Sequence, residues 1–159
     1  ACIMQNKGSI LAMDVERKKL DELERRAQRA GVRIISTSIA TKEAILKNSA
    51  SADRLLLDVP CSGLGVLRRN PDAKWKLTPS FIEEVKKTQA RILDDYSTML
   101  KPDGIMVYAT CSILSLENQL QVQHFLHKNM GNFELMHEQS IMPSLGYDGF
   151  YMACIKKLH

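Results

Sequence analysis

Long apolar runs are missing from this sequence, and none reaches the length that a bilayer-spanning helix requires. The start of the chain also lacks the charged and then apolar pattern of a secretion signal. Cysteine is scarce, with 4 residues, and no pair has the C-x-x-C spacing of a structural zinc site. A disulfide scaffold would need more cysteines in a shorter chain. We therefore expect a soluble, cytoplasmic protein with reduced thiols and no bound metal.

The composition is typical of a folded globular protein. The 159 residues suit one domain of ordinary size, and 45% of them are hydrophobic, which is enough for a core. The net charge of +4 is mildly basic. Such a charge permits a nucleic-acid partner without requiring one, so the motifs must indicate the function.

Short apolar runs alternate with amphipathic segments along the chain, which predicts an α/β fold with a mostly parallel sheet. In such sheets the ligand site lies beyond the carboxyl ends of the strands. Asp14, Asp58 and Cys111 each follow a predicted strand, so we expect them to face a common crevice. The predicted strands cover residues 9–13, 32–36, 54–57, 105–109, 133–137 and 147–156, and the predicted helices cover residues 16–30, 42–47, 80–100 and 116–128.

Asp14 comes directly after the first predicted strand. A carboxylate in this position can accept hydrogen bonds from both hydroxyls of a nucleotide ribose, as in Rossmann-like proteins. It can equally cap the helix that starts just after it. The position alone leaves both interpretations open.

The loop that begins at Asp58 places a carboxylate and the Cys61 thiol at the expected ligand edge. Pro60 holds the preceding residue in an extended conformation. Gly63 and Gly65 allow the backbone to approach a ligand closely. These features indicate a binding loop rather than a simple connection.

A basic stretch continues this loop. Arg68 and Arg69 are adjacent guanidinium groups, which suit phosphate recognition. Trp75, flanked by Lys74 and Lys76, can stack on a base. The alternative is a solvated basic loop in which Trp75 anchors the core, and for Trp75 we favour that alternative.

Cys111 ends the fourth predicted strand, so its thiol is expected to point into the crevice. The N-terminus of the following helix would favour a nucleophilic thiolate there. A buried, unreactive thiol remains the alternative for a lone cysteine. For Cys2 and Cys154 we expect only that second role.

These motifs together resemble those of a known family. Residues 58–72 read DVPCSGLGVLRRNPD, residues 74–75 read KW, and residues 108–112 read YATCS. The segment GSILAMD near the start and DGFYMACIKK near the end fit the same pattern. The sequence resembles the Sun/Nop (Fmu-type) RNA (cytosine-5)-methyltransferases, and among them the bacterial enzymes that act on small-subunit ribosomal RNA.

The resemblance implies a two-cysteine mechanism that methylates C5 of cytosine in RNA, in ribosomal RNA above all. Cytosine C5 is a poor nucleophile until a thiolate adds at C6, so covalent catalysis divides one hard step into easier ones. By this resemblance Cys111 attacks C6, Cys61 assists release of the product, and Asp58 hydrogen-bonds the base and helps to protonate N3.

The resemblance also implies a Rossmann-like class I methyltransferase fold, with helices on both faces of the sheet, and S-adenosyl-L-methionine as the cofactor. Asp14 would hold the ribose of the cofactor, and Asp58 and Pro60 would lie beside its site. Arg68 and Arg69 would hold either the loop or the RNA, a choice that the resemblance leaves open.

Two departures from the family pattern affect cofactor binding. The first strand and the Gly-rich loop of the P-G-G-K-T kind, expected just before Ala1, are absent from the sequence. An acidic residue expected after the second strand is replaced by Ser36-Thr37-Ser38-Ile39. We therefore expect residues 1–159 to form one partial catalytic domain with weak cofactor binding. A homo-oligomer or a missing N-terminal segment would complete its sheet.

Two other functional classes compete with the enzyme. One is a non-catalytic RNA-binding or assembly module that keeps the fold. The other is an unrelated nucleotide-binding α/β domain. The presence of both Cys61 and Cys111 favours the enzyme, because a binding module needs neither thiol.

Overall fold

The structure is a computed structural model that describes the backbone of residues 1–159 and every side chain except those of Lys76 and Leu145. The chain divides into two compact units, Ala1–Lys47 and Asn48–His159. Each unit has its own sheet. The expectation that both belong to one catalytic domain stays a prediction.

The first unit is a strand-helix-strand crossover followed by a short helix. Strand β1 (Ile10–Asp14) pairs in parallel with β2 (Ile35–Ile39), so that Asp14 lies opposite Ile39 at the carboxyl end of the pair. Helix α1 (Arg17–Arg29) connects the two strands, and helix α2 (Lys42–Lys47) follows β2. Leu20 is the buried residue of α1, on the apolar side of an otherwise strongly charged helix.

The second unit holds four strands in the order β3-β4-β6-β5. The pair β3/β4 is parallel, whereas β4/β6 and β6/β5 are antiparallel. The strands are β3 (Ala52–Asp58), β4 (Leu100–Thr110), β5 (Phe133–Ile141) and β6 (Phe150–Lys157), and the helices are α3 (Ala73–Lys76), α4 (Pro79–Ser97) and α5 (Gln119–Lys128).

The register of these strands gathers three chain segments at one edge of the sheet. Asp58 at the end of β3 lies opposite Ala109 in β4. Thr110 at the end of β4 lies opposite Tyr151 near the start of the antiparallel β6. The loops that follow β3 and β4 and the loop that precedes β6 therefore emerge side by side.

The core of the second unit packs α4 and α5 against the sheet. Burial of these apolar side chains is the main stabilising contribution to the unit. Thr78 caps α4 by accepting a hydrogen bond from the backbone N–H of Phe81, with Pro79 in the first turn. The buried residues include Leu57, Leu93, Leu100, Met106, Tyr108, Val122, Phe125 and Ile155.

The α/β fold class predicted from the sequence is confirmed, but the sheet of the second unit is mixed rather than mostly parallel. The reason is β6, which runs antiparallel between two neighbours and so reverses the pattern at that edge. Among the helices that the structure describes, none is both long and apolar enough to cross a membrane.

Candidate active site

The central feature of the site is a pair of sulfur atoms. Sγ of Cys61 lies 3.2 Å from Sγ of Cys111. Cys61 follows the end of β3, and Cys111 follows the end of β4. Because β3 and β4 are parallel neighbours, their carboxyl ends meet, and the fold brings together two thiols that stand far apart in the sequence.

The environment of Cys61 disfavours its thiolate form. Burial, followed by the hydrogen bond with Cys111, raises the pKa of Cys61 to about 12. Burial therefore favours the neutral thiol of Cys61, and either sulfur atom can be the donor in the contact between the two.

A buried carboxylate lies behind the two cysteines. Oε1 of Glu117 accepts a hydrogen bond from the backbone N–H of Ser62 at 2.7 Å. Oε2 accepts hydrogen bonds from the hydroxyl groups of Ser62, at 2.5 Å, and of Ser112. Ser62 and Ser112 are the residues that follow the two cysteines, so one side chain contacts both cysteine-bearing segments.

A close contact between two glycines connects the same segments through the backbone. Gly65 donates its N–H to the carbonyl oxygen of Cys111 at 2.9 Å, and Gly149 donates its N–H to the carbonyl oxygen of Gly65 at 2.7 Å. A Cβ atom on Gly65 would lie 2.1 Å from the Gly149 carbonyl oxygen and 2.7 Å from that of Cys111. Only glycine fits at position 65, and the loop before β6 is thereby held against the cysteine pair.

Asp58 and Pro60 lie where the sequence placed them, between β3 and Cys61. Asp58 is the last residue of β3, and its side chain is exposed at the edge of the sheet that carries the cysteines. Pro60 is exposed, and its carbonyl oxygen accepts a hydrogen bond from Nε2 of Gln89 in α4 at 3.0 Å. This bond fixes the backbone just before Cys61, while Asp58 stays accessible to a ligand.

The two adjacent arginines differ in their contacts. Arg69 forms an ion pair with Asp148, the residue before Gly149, and so joins the two loops that the glycines also connect. Arg68 is exposed, and no ion pair formed by the described side chains involves it. Arg69 thus has a structural partner, and Arg68 remains the better candidate for a phosphate contact.

Trp75 does not anchor the core. Its side chain is 79% exposed, on the short helix α3, with Nζ of Lys74 at 4.8 Å from the centre of the ring. The interpretation that we favoured from the sequence is wrong, and an exposed aromatic ring beside a cation suits a stacking surface. The side chain of Lys76 lies outside the described residues.

Asp14 belongs to the first unit and has features of both interpretations. Its Oδ1 accepts a hydrogen bond from the backbone N–H of Glu16 at 2.8 Å, which supports the turn into α1. Its Oδ2 lies 3.9 Å from Nζ of Lys19, too far for a hydrogen bond, and the side chain is 32% exposed. One carboxylate oxygen is thus available to a ribose hydroxyl, so the residue fits the expected cofactor.

The segment that replaces the expected acidic residue lies inside β2. The hydroxyl group of Thr37 donates a hydrogen bond to Glu24 of α1, and the hydroxyl group of Ser38 lies 3.2 Å from the carbonyl oxygen of Ile39. Thr37 is therefore engaged by the helix of its own unit. Neither hydroxyl replaces the charge of a carboxylate.

Sequence reasoning missed Glu117, Gln89 and Gly149. Glu117 and Gln89 were assigned to amphipathic helices, where a polar residue usually faces solvent, and neither shows any spacing that predicts an inward side chain. Gly149 was placed at the start of the last predicted strand, without a role in the site. Among the remaining cysteines, Cys2 is exposed rather than buried, and Cys154 is half-buried in β6.

Metal binding finds no support in the described part of the chain, where no group of three or more His, Cys, Asp or Glu residues could hold an ion. The two thiols contact each other instead, and the nearby Glu117 carboxylate is fully engaged by hydrogen-bond donors. The chemistry of the site is that of thiols, a carboxylate and backbone groups.

The chain is similar to known proteins over nearly its whole length. The model of the family described as 16S rRNA methyltransferase RsmB/F matches residues 1–156. Ribosomal RNA small subunit methyltransferase B of Pasteurella multocida is 39% identical over 166 residues, which cover 94% of this chain and 37% of the relative. The chain thus spans little more than a third of the length of this relative.

Solved structures show the same fold. The crystal structure of NSun6 from Pyrococcus horikoshii with SFG is 25% identical with a TM-score of 0.87, and the match covers 100% of this chain and 44% of that one. A methyltransferase homolog protein from Pyrococcus horikoshii is 27% identical with a TM-score of 0.83, covering 98% of this chain and 55% of that one.

Proposed function

The chain belongs to the family of 16S rRNA methyltransferases RsmB/F, and from this premise we propose that the native protein methylates C5 of cytosine in RNA. Ribosomal RNA is the proposed substrate, because the family and the Pasteurella multocida relative carry it in their names. S-adenosyl-L-methionine is the proposed methyl donor, and the cytoplasm is the proposed location.

The observation that supports this proposal most is the 3.2 Å separation of Cys61 and Cys111. A C5 methylation needs one thiolate that adds to C6 and later leaves it, and a group that assists this departure. The structure provides two thiols in contact, of which Cys61 is held protonated by burial that raises its pKa. An RNA-binding surface alone would need no such pair.

In the proposed mechanism, Cys111 adds to C6 of the cytosine as a thiolate, and C5 becomes nucleophilic like the carbon of an enamine. S-adenosyl-L-methionine, when bound, would supply an electrophilic methyl group and would leave as the neutral thioether. The proton of the methylated C5 then passes to a solvent water molecule, and the C5–H electron pair forms the C5–C6 double bond. The bond between C6 and the Cys111 sulfur breaks, and its electron pair returns to the sulfur. The S–H of Cys61 donates a hydrogen bond to that sulfur, which stabilises it as a leaving group.

Asp58 and Asp14 have separate proposed roles. Asp58, exposed beside the cysteine loop, would hydrogen-bond the cytosine edge and assist protonation of N3. Asp14 would hold the cofactor ribose through its accessible carboxylate oxygen, and Pro60 would shape the loop beside the cofactor. The relative crystallised with SFG, an analogue of S-adenosylmethionine, supports this cofactor class.

RNA would contact the exposed basic and aromatic groups of the 68–75 segment. Arg68 is exposed and suits a phosphate, and Trp75 is exposed and suits a base. Arg69 would instead keep the loop in place through Asp148. This division replaces the paired-arginine site that the sequence suggested.

Covalent trapping tests the proposal. RNA that contains 5-fluorocytosine is mixed with the native, full-length protein and S-adenosyl-L-methionine, and the products are separated on a denaturing gel. Fluorine cannot leave C5 as a proton does, so the bond between C6 and the thiol persists. We expect a protein–RNA adduct with the wild type and none with Cys111→Ala.

A parallel assay with ordinary cytosine examines Cys61. If Cys61 assists release, Cys61→Ala retains the attacking thiol but expels it slowly, so an adduct accumulates without fluorine. Cys154→Ala, at a half-buried thiol of β6, serves as the matched control and should behave as the wild type. Absence of any adduct while RNA binding is intact would instead favour the non-catalytic module.

A further inference from the structure

Glu117 is a fully buried acidic residue, with 0% exposure. It lies between β4 and α5, outside both elements. Removal of a carboxylate from water is costly unless hydrogen bonds replace the lost hydration. Such a residue therefore calls for an explanation beyond packing.

Four donors converge on this carboxylate. Oε1 accepts hydrogen bonds from the backbone N–H of Ser62, at 2.7 Å, and from Nε2 of Gln89, at 3.1 Å. Oε2 accepts hydrogen bonds from the hydroxyl groups of Ser62 and Ser112. An ionised carboxylate only accepts, so it matches this set of donors, whereas an amide at the same place would direct its own N–H groups at some of them.

Three of the four donors lie on the segments that hold the two thiols. Ser62 directly follows Cys61, and Ser112 directly follows Cys111, so the carboxylate connects the two cysteine segments across a sequence separation of 50 residues. The sulfur atoms contact each other, and among the described side chains neither sulfur forms a hydrogen bond with Glu117. The hydrogen bonds of the carboxylate thus reach the two thiols through the adjacent residues Ser62 and Ser112.

The position of Glu117 is itself fixed by further bonds. Its carbonyl oxygen accepts a hydrogen bond from the hydroxyl group of Tyr108 in β4 at 2.7 Å. Nε2 of Gln89 in α4 donates hydrogen bonds to the carboxylate and to the carbonyl oxygen of Pro60.

The neighbouring Asn118 holds the same segment. Its side chain accepts a hydrogen bond from the Thr110 hydroxyl group and donates one to the Ser112 carbonyl oxygen. The carboxylate is therefore held in place, and both cysteine segments are hydrogen-bonded to it.

We propose that Glu117 is a positioning residue that sets the distance between the Cys61 and Cys111 sulfur atoms by holding Ser62 and Ser112. The geometric part of this inference concerns the thiols alone, whereas its kinetic consequence rests on the proposed methyltransferase function. Loss of the carboxylate moves the thiols apart and weakens the hydrogen bond between them.

The thiol–disulfide equilibrium with glutathione measures this geometry without any substrate. Oxidised glutathione accepts two electrons as the two thiols become a disulfide and two glutathione thiols are released, so the equilibrium constant reports the effective concentration of one cysteine at the other. We expect Glu117→Gln, compared with the wild type, to lower this constant by about tenfold or more. An unchanged constant in folded Glu117→Gln would overturn the inference.

Three variants separate positioning from stability. Glu138→Gln makes the same chemical change at a carboxylate that bonds Tyr151, and Ile155→Val weakens the core. Both should leave the equilibrium constant unchanged. Ser112→Ala removes a single contact to the carboxylate and covers the case in which Glu117→Gln does not fold. We expect a smaller decrease from Ser112→Ala, and no decrease would contradict the proposal.

The kinetic consequence is tested by the turnover rate on RNA that contains ordinary cytosine, at saturating and at limiting RNA. Glu117→Gln should lower the maximal rate by about 10- to 100-fold and leave the RNA concentration at half-maximal rate unchanged, because the residue lies away from the RNA surface. If Glu117→Gln lowers the equilibrium constant for disulfide formation but neither the wild type nor any variant forms an adduct in the trapping assay, the proposed function is refuted and the positioning role is supported. A normal maximal rate in Glu117→Gln would refute the positioning role.

Discussion

Sγ of Cys61 and Sγ of Cys111 lie 3.2 Å apart at the carboxyl ends of two neighbouring parallel strands. Three features hold the segments that carry these cysteines: the strand register, the glycine contact at Gly65 and the hydrogen bonds of the buried Glu117 carboxylate. Because several restraints agree, the thiol pair is a property of the fold and not of one flexible side chain. Its reactivity can therefore be predicted.

Mild oxidation should connect these two cysteines. A disulfide needs sulfur atoms about 2.05 Å apart, so a small movement closes the bond. We expect diamide to form the Cys61–Cys111 disulfide reversibly, while Cys2 and Cys154 stay reduced, and to prevent adduct formation with RNA. Peptide mapping by mass spectrometry identifies the pair. A disulfide between any other two cysteines would contradict the geometry.

Alkylation should report the protonation of Cys61. The thiolate is the reactive form, and burial together with the bond to Cys111 raises the pKa of Cys61 to about 12. Because the raised pKa keeps the thiol protonated, we expect iodoacetamide at pH 8 to modify Cys61 at least about tenfold more slowly than the exposed Cys2. The rate at Cys61 should keep rising with pH above 8, because the raised pKa leaves little thiolate there. Equal rates at pH 8 would show that the thiol is not protected.

Gly65→Ala should disturb both stability and the site. Its Cβ would collide with backbone oxygens of Gly149 and Cys111, which a backbone shift costing about 1–3 kcal/mol must relieve. We expect a lower melting temperature and a smaller equilibrium constant for formation of the Cys61–Cys111 disulfide with oxidised glutathione. Gly131→Ala is the matched control, since its Cβ meets nothing within 4 Å although its φ is +83°. It should lose stability only, and a similar effect of both variants on the thiols would contradict the account.

The two arginines should differ in their effect on RNA binding. Arg68→Ala removes an exposed guanidinium group and should weaken RNA binding. The slope of log affinity against log salt concentration should become less steep by about 1, the value for one phosphate contact. Arg69→Ala should leave the slope near that of the wild type, because the charge of Arg69 is already paired with Asp148. Filter binding at several salt concentrations measures both. Equal slopes for the two variants would show that the ion pair does not persist in the complex.

Much of the fold could be predicted because its elements carry strong local signals. Helix α1 and helix α2 begin and end within one residue of the prediction, since their charges, apolar spacing and flanking turns agree. The second strand was predicted at residues 32–36 and lies at Ile35–Ile39, because pairing with β1 outweighed the more apolar run. The antiparallel placement of β6 could not be predicted, since it depends on contacts with two distant strands.

Part of the candidate site could also be predicted from the sequence. Adjacent motifs identified Asp58, Cys61 and Cys111, because strand ends and loop glycines are visible in the sequence. The exposure of Trp75, on the short helix α3, and the inward side chain of Glu117, between β4 and α5, could not be predicted. Both depend on which side of a short segment packs against its neighbours. The roles of the predicted site residues in catalysis and cofactor binding remain predictions.

The central claim is that Cys111, and not Cys61, attacks the base. The most direct measurement is peptide mapping, by tandem mass spectrometry after nuclease and protease digestion, of the adduct trapped on RNA with 5-fluorocytosine. We expect a modified nucleotide on the peptide that contains Cys111 and an unmodified Cys61. A nucleotide on Cys61, or an adduct that persists in Cys111→Ala, would contradict it.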